Sequence, residues 1–233
     1  MTNFWKIVNE VIKKSDILVM VLDARFPEET NNEEVELKVN RSGKKLLYVV
    51  NKSDLAKNKE FHNDYIVLSS RSRRGLRLLR ERIMIESKKL RLDRVTVGVL
   101  GYPNTGKSSL INTLKGRSSS KTSPKSGFTK SLQKIKISDK IFMLDTPGVI
   151  PFGDKDDEKH VLLGVVNPES IEYPEDVAEV LISNMKEAMK TKYGCTSLEE
   201  LAEKWGMKKK GGHLDLRATS VKLLREWQRG KLR

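Results

Sequence analysis

The chain has 233 residues, 37% of them apolar and 33% charged, which leaves room for one large domain or two small ones and excludes an unfolded tail. Its longest aliphatic run is Ile17 to Leu22, far short of the ~20 apolar residues a membrane-crossing helix needs, and no signal-peptide core is expected near the N-terminus. One cysteine, Cys195, permits no internal disulfide and points to a reducing cytoplasm, while a formal charge of +14 calls for a polyanionic partner, nucleic acid ahead of membrane.

Residues 2–14 place Phe4, Val8, Val11 and Ile12 at helical spacing. Residues 17–22 read as a buried strand ending in Asp23-Ala24-Arg25-Phe26-Pro27, and a capped helix follows over 31–39. Strands are expected at 46–50, ending on Asn51, and at 65–68, ending on Ser69 and Ser70. Leu76, Leu79 and Ile83 then mark a helix running toward residue 90. A fourth strand, 95–100, ends on Gly101, and a helix begins near Lys107. Residues 132–137 and 141–144 form two more strands about a turn at Asp139-Lys140. This alternation implies an α/β fold, a mostly parallel sheet with helices on both faces. Such sheets bind ligands at the carboxyl ends of their strands. After Phe152 no strand-like run occurs, and 156–165, 174–190, 197–206 and 215–229 read as helices. A boundary is expected near 152, between an α/β domain at 1–152 and a small helical domain at 153–233.

The strongest motif is Gly101-Tyr102-Pro103-Asn104-Thr105-Gly106-Lys107-Ser108, which fits G-x-x-x-x-G-K-[ST] between a strand and a helix. Glycines let backbone N–H groups curl around phosphates, and the helix N-terminus adds positive potential. Lys107 would meet the β- and γ-phosphates and the Ser108 hydroxyl would meet Mg²⁺. Asp145-Thr146-Pro147-Gly148 follows the apolar strand 141–144. An Asp there can hold Mg²⁺ through water, and the Gly148 N–H can approach a γ-phosphate. Asn51-Lys52-Ser53-Asp54 ends the second strand. The Asp54 carboxylate can accept from N1–H and the 2-amino group of guanine, where adenine offers neither donor and leaves it unpaired. Lys52 would lay its stem along the base and Asn51 would brace the loop. Ser69-Ser70-Arg71 would supply an N–H to the guanine carbonyl oxygen.

Taken together, these segments resemble the guanine-nucleotide motifs of GTPases in an unusual order, base-reading loops first and P-loop later. The chain resembles circularly permuted GTPases, and more closely the YlqF-like ribosome-assembly family. The residues that carry the likeness are Asp23-Ala24-Arg25 with Pro27, Gly101 through Ser109, Gly127-Phe128-Thr129, and Asp145 through Gly148 leading to Pro151. Arg225-Glu226-Trp227-Gln228-Arg229-Gly230-Lys231 looks like the end of that family's helical domain. The resemblance implies a permuted P-loop GTPase domain followed by a helical one, with GTP or GDP and Mg²⁺ as ligands. It assigns nucleotide contacts to Asn51, Lys52, Asp54, Ser69, Ser70, Asn104, Thr105, Gly106, Lys107, Ser108, Ser109, Thr129, Asp145 and Gly148. It gives Mg²⁺ to Ser108, Thr129 and Asp145, and catalysis to Lys107, Thr129, Gly148 and Asn104. Thr129 would belong to a switch over 118–130 that orders around GTP. Val149 stands where many GTPases carry a water-orienting glutamine, so intrinsic hydrolysis should be slow and completed by a ribosomal partner. Asn104 matches a residue that helps hold K⁺ in potassium-dependent relatives.

The basic residues are segregated. Residues 71–94 carry ten Lys or Arg against three acids, 111–138 carry seven against none, and 204–233 carry ten against two. On the helix 215–229, Lys222, Arg225 and Arg229 share an arc opposite Leu223, Leu224 and Trp227; that arc is expected to face outward and, with Lys208, Lys209, Lys210, Arg217, Lys231 and Arg233 nearby in sequence, to make 153–233 an RNA-binding domain that meets phosphates. With few aromatics interleaved, recognition of folded rRNA by backbone and shape is favoured over base stacking, and no DNA partner is expected. The implied partner is rRNA within a large-subunit precursor. The competing reading is a non-enzymatic RNA-binding module with a structural nucleotide site; a GTPase at an acidic membrane ranks last. His62, His160, His213 and Cys195 have no catalytic spacing.

Overall fold

The computed structural model describes residues 3–56, 59–116, 132–146 and 156–232. Two compact units are present, Met1–Asp154 and Lys155–Arg233. The first contains strands β1 (Ile17–Asp23), β2 (Lys45–Asn51), β3 (Ile66–Val67), β4 (Val95–Leu100), β5 (Gln133–Lys136) and β6 (Ile141–Asp145), with helices α1 (Asn3–Lys14), α2 (Glu33–Arg41), α3 (Leu76–Lys89) and α4 (Lys107–Lys115). Among the described residues the six strands form one sheet in the order β3-β2-β1-β4-β6-β5. The pairs β1–β2, β1–β4, β2–β3 and β4–β6 are parallel, and only β5 runs antiparallel to its neighbour β6.

Every residue of β1 is buried, which is why its sequence is a continuous apolar run: a central parallel strand is covered on both faces. Alternate side chains divide between the faces. Ile17, Val19 and Val21 pack with Leu79 and Ile83 of α3 and Leu110, Ile111 and Leu114 of α4. Leu18, Met20 and Leu22 pack with Val8, Val11 and Ile12 of α1 and Val35 and Val39 of α2. Helix α2 starts where the Asn32 side chain accepts from the Val35 N–H at 3.1 Å, with Glu33, Glu34 and Glu36 favourably placed in its first turn. β3 is shorter than its apolar pattern, pairing only Ile66 and Val67 with Val49 and Val50.

From β1 the chain moves outward through β2 and β3; from β4 it moves the other way to β6. β1 and β4 are therefore neighbours at a topological switch point, where an open sheet leaves a crevice beyond its carboxyl ends. The two strands that lead to Asn51 and Ser69 lie on the far side of β1 from β4 and β6, and both precede β4 in sequence.

The second unit holds α5 (Asp157–Leu162), α6 (Pro174–Asn184), α7 (Lys186–Tyr193), α8 (Leu198–Trp205) and α9 (Leu216–Gln228). Where the spacing predicts one helix over 174–190 there are two. The apolar periodicity runs through Met185, yet its backbone (φ −121°, ψ 29°) leaves the helical region and separates α6 from α7. Leu223, Leu224 and Trp227 of α9 are buried, and Trp227 Nε1 donates to Leu162 O at 2.8 Å while Gln228 Nε2 donates to Val161 O at 2.8 Å. Trp227 thereby supplies a donor to a carbonyl at the end of α5, while Val161 O takes the Gln228 amide in addition to the Gly164 N–H at 2.9 Å. The outward basic arc is only partly free. Lys222 and Arg229 are exposed, but Arg225 is paired with Glu169 at 2.7 Å. Among the described residues no helix is long and apolar enough to cross a membrane.

Candidate functional site

Parallel pairing brings the carboxyl ends of β1, β2, β3, β4 and β6 to one edge, and Asp23, Asn51, Ser69, Gly101 and Asp145 are found there. Asn51, the last residue of β2, is 1% exposed and joins three segments. Its Nδ2 donates to Thr105 O in the P-loop at 2.9 Å, and its Oδ1 accepts from Ser70 N and Ser70 Oγ, both at 3.0 Å. The Asn51 loop, the Ser69-Ser70 turn and the P-loop are thus tied through one amide.

Glycine is required twice in the P-loop by close approach. A Cβ on Gly101 (φ +143°) would lie 2.4 Å from Val21 O of β1, and one on Gly106 (φ +94°) would lie 2.4 Å from Asn51 Nδ2. The neighbour of Gly106 is pinned by the three hydrogen bonds above, so it cannot swing aside without breaking them. Gly106→Ala should therefore lower the unfolding free energy by about 1–3 kcal/mol, the cost of backbone strain at such a site. Urea denaturation checks this; an unchanged midpoint would mean that Asn51 does not brace the loop.

Lys107 begins α4 and is 5% exposed. Its ammonium donates to Gly101 O at 2.9 Å and Tyr102 O at 2.6 Å, curling back over the P-loop. Burial brings its pKa down to about 7, opposed by the Asp145 carboxylate and reinforced by the Lys52 charge. A buried cation in this state gains most from an incoming phosphate, which supplies the missing negative charge. Asp145 is 6% exposed at the end of β6. The next residue, Thr146, donates from Oγ1 to Val99 O at 2.6 Å, fixing the end of β6 to β4. A Ser108 hydroxyl and an Asp145 carboxylate are hard oxygen donors of the kind Mg²⁺ takes alongside water and phosphate oxygens, so the residues present fit that ion. Thr129 and Gly148 lie outside the described residues, as do Gly127, Phe128, Val149 and Pro151.

On the base-reading side, Asp54 is half-buried and its Oδ1 accepts from Ser69 Oγ at 2.7 Å. Ser69 is fully buried and also receives the Ser72 N–H on its Oγ at 3.1 Å. Asp54 is thereby held in one orientation with carboxylate capacity to spare. Lys52 and Asn104 both adopt left-handed backbone, φ 63° and 60°.

Asp23 and Arg25 have a structural duty that their sequence pattern did not reveal. Asp23, 1% exposed, accepts from Arg25 N and Nε at Oδ1, both at 3.0 Å, and from Arg25 Nη2 at 2.8 Å and Lys52 Nζ at 2.7 Å on Oδ2. Burial alone would raise the Asp23 carboxyl; the Lys52 ammonium and the Arg25 guanidinium outweigh it and hold the group well below the usual carboxylate range. Register places Asp23 opposite Asn51, so the carboxylate anchors the ammonium of the adjacent loop. The available signal was two charged residues directly after a fully apolar strand, at the edge where ligands bind.

Residues 96–209 match the family described as 50S ribosome-binding GTPase. An uncharacterized GTP-binding protein of Methanocaldococcus jannaschii is 38% identical, the match covering 97% of this chain and 65% of that protein. Nucleolar GTP-binding protein 2 of Saccharomyces cerevisiae is 32% identical across 98% of this chain and 52% of its own length. The chain thus spans 40% to 65% of the length of such curated relatives. GNP-bound YlqF from T. maritima superposes with a TM-score of 0.66 at 25% identity, covering 99% of this chain and 95% of that one. GDP-bound YlqF gives 0.65 at 26% identity, covering 96% and 94%. With a P-loop between β4 and α4, base-reading loops that precede it in sequence, and likeness to YlqF along almost the whole chain, this chain has the fold of the circularly permuted P-loop GTPases and is similar to YlqF.

Proposed function

We propose that the chain is a guanine-nucleotide switch that binds and hydrolyses GTP and assists assembly of the large ribosomal subunit through contact with rRNA, in a reducing cytoplasm. The observation that carries this reading is the Asn51 amide. By bonding Thr105 and Ser70 together, it gathers the phosphate loop and both base-reading segments at one sheet edge. Asp54 accepts from the guanine edge, with Ser69 orienting it and an N–H of the Ser69-Ser70 turn facing the carbonyl oxygen. Lys52, anchored by Asp23, flanks the base. Asn104, Thr105, Gly106, Lys107, Ser108 and Ser109 surround the phosphates. Ser108, Asp145 and Thr129 hold Mg²⁺, which offsets phosphate charge when bound. Thr129 and the Gly148 N–H sense the γ-phosphate. The family description, the nucleolar relatives and the nucleotide-bound YlqF structures support this reading.

A switch needs different affinities in its two states. Sedimentation with large subunits should show tighter association with a nonhydrolysable GTP analogue than with GDP; identical association would remove the switch. The second reading, a non-enzymatic RNA module, is favoured by Val149, whose side chain can neither donate to nor accept from a water. Multiple-turnover phosphate release in the presence of ribosomes excludes it.

Asn104 of the P-loop is assigned to a K⁺ site beside the phosphates, where the cation offsets developing charge. Exchanging NaCl for KCl should raise the GTPase rate by about tenfold or more; equal rates in the two salts would retire this role.

A further inference from the structure

The surplus of +14 is uneven: residues 71–94, comprising the loop before α3, α3 itself and the turn after it, carry ten cations and three acids, half of the net charge. In the helical unit, many cations are engaged with their own fold. Arg225 is paired with Glu169, Arg217 donates to Glu172 O at 2.6 Å, Lys204 donates to Gly194 O at 2.8 Å, and Lys222 lies 4.1 Å from the centroid of Trp205. Around α3, Arg77 pairs with Glu81, Lys89 pairs with Glu86, and Arg80 donates to Leu114 O. Arg71, Arg73, Arg74, Arg82 and Lys88 are exposed and make no ion pair among the described residues.

Two further observations specify the chemistry. Leu78 and Ile85 are 44% and 47% exposed. At helical spacing they share a narrow arc with Arg82, while Leu79 and Ile83 point to the sheet. Between 71 and 82 there are six arginines and no lysine. Guanidinium groups are planar, weakly hydrated forks that pair with phosphate oxygens, and they are preferred wherever nucleic acid is read. The wide, shallow minor groove of A-form RNA presents phosphates on both sides of ribose edges. Aliphatic side chains between arginines match that profile.

We infer that this face of α3, with the loop that precedes it, docks on a double-helical segment of RNA. The guanidinium groups meet phosphates, and Leu78 and Ile85 lie over the ribose edges. The inference rests on the proposed RNA-bearing partner and names the surface that meets it. RNA contact is then carried mainly by the α/β unit, on the segment continuous with Ser69 and Ser70, and less by the helical unit.

The test uses the whole chain, a fluorescently labelled RNA hairpin of roughly 16 base pairs, and anisotropy across a KCl series. Arg74→Glu with Arg82→Glu reverses two charges on the proposed face; Lys222→Glu with Arg229→Glu is the matched reversal on the helical unit. Unfolding midpoint and GDP affinity are measured for each. The α3 pair should lose at least about tenfold in RNA affinity, and its log–log salt slope should fall by about two, with midpoint and GDP affinity unchanged. Unchanged RNA affinity and slope would overturn the inference, as would an equal loss from the control pair, or equal binding of a DNA hairpin of the same length. If RNA binding persists while large-subunit binding falls, the face docks on protein and the inference fails. Absence of GDP binding by the unaltered chain would remove the nucleotide reading and leave the RNA result standing.

Discussion

Asp54→Asn should abolish guanine selectivity, weakening GTP and GDP by about 10⁴-fold while creating affinity for xanthosine nucleotides. Guanine offers two donors in a row, N1–H and the 2-amino group, and a carboxylate accepts both. An amide offers one donor and one acceptor. It meets N1–H with its oxygen and leaves the 2-amino group facing another N–H. Xanthine replaces that amino group with a carbonyl, which the amide N–H satisfies. The size of the effect follows from position: Asp54 is half-buried and Ser69 Oγ holds one of its oxygens at 2.7 Å, so the loop cannot easily turn the wrong edge away. Unfolding should change little, because the side chain is not in the core. Competitive titration with GDP and XDP checks the exchange, and an unaltered GDP affinity would mean that Asp54 does not read the base.

The second large effect is on stability. Asp23→Ala should cost about 3–5 kcal/mol, because it leaves the Arg25 and Lys52 cations without their shared counter-charge in a buried place. Arg25 has only 4% of its side chain exposed and Lys52 23%, so Arg25 bears most of the loss. Asp23→Asn keeps the shape and removes the charge, and it exposes the pH dependence. In the folded chain the carboxyl is held below its unfolded value of about 3.9. Its contribution is therefore complete above that value and is lost as pH falls through it toward the folded pKa. The stability gap between the native chain and Asp23→Asn should be flat from neutral pH to about 5 and should narrow below about 4. A gap that stays constant through the acid range would mean that the carboxylate is not held by its two cations.

Most of the phosphate side of the site was legible because its chemistry is local. Gly101 to Ser108 is contiguous, sits between a strand and a helix, and demands glycine wherever another backbone comes close. The parallel sheet was legible for a similar reason, since β1 can only be a continuous apolar run if both of its faces are covered. What was hidden depends on contacts far apart in sequence. Gly106 is glycine on account of Asn51, and Lys52 is placed by Asp23; neither dependence leaves a pattern in one chain. The partners of the cations were hidden for the same reason. Counted along the sequence, 204–233 looked as available for phosphate as 71–94, but Glu169 and the carbonyls of Glu172 and Gly194 take up cations that the count treated as free. Met185 eluded periodicity because an apolar residue suits both a continuous helix and the junction between two.

Calorimetric titration of the whole chain with GDP and with ADP, both with Mg²⁺, addresses the permuted guanine site most directly. GDP is expected to bind, and ADP to bind at least about a thousandfold more weakly, since adenine leaves the Asp54 carboxylate without a donor. Equal affinity for the two nucleotides, or no heat of binding with GDP, would contradict that expectation.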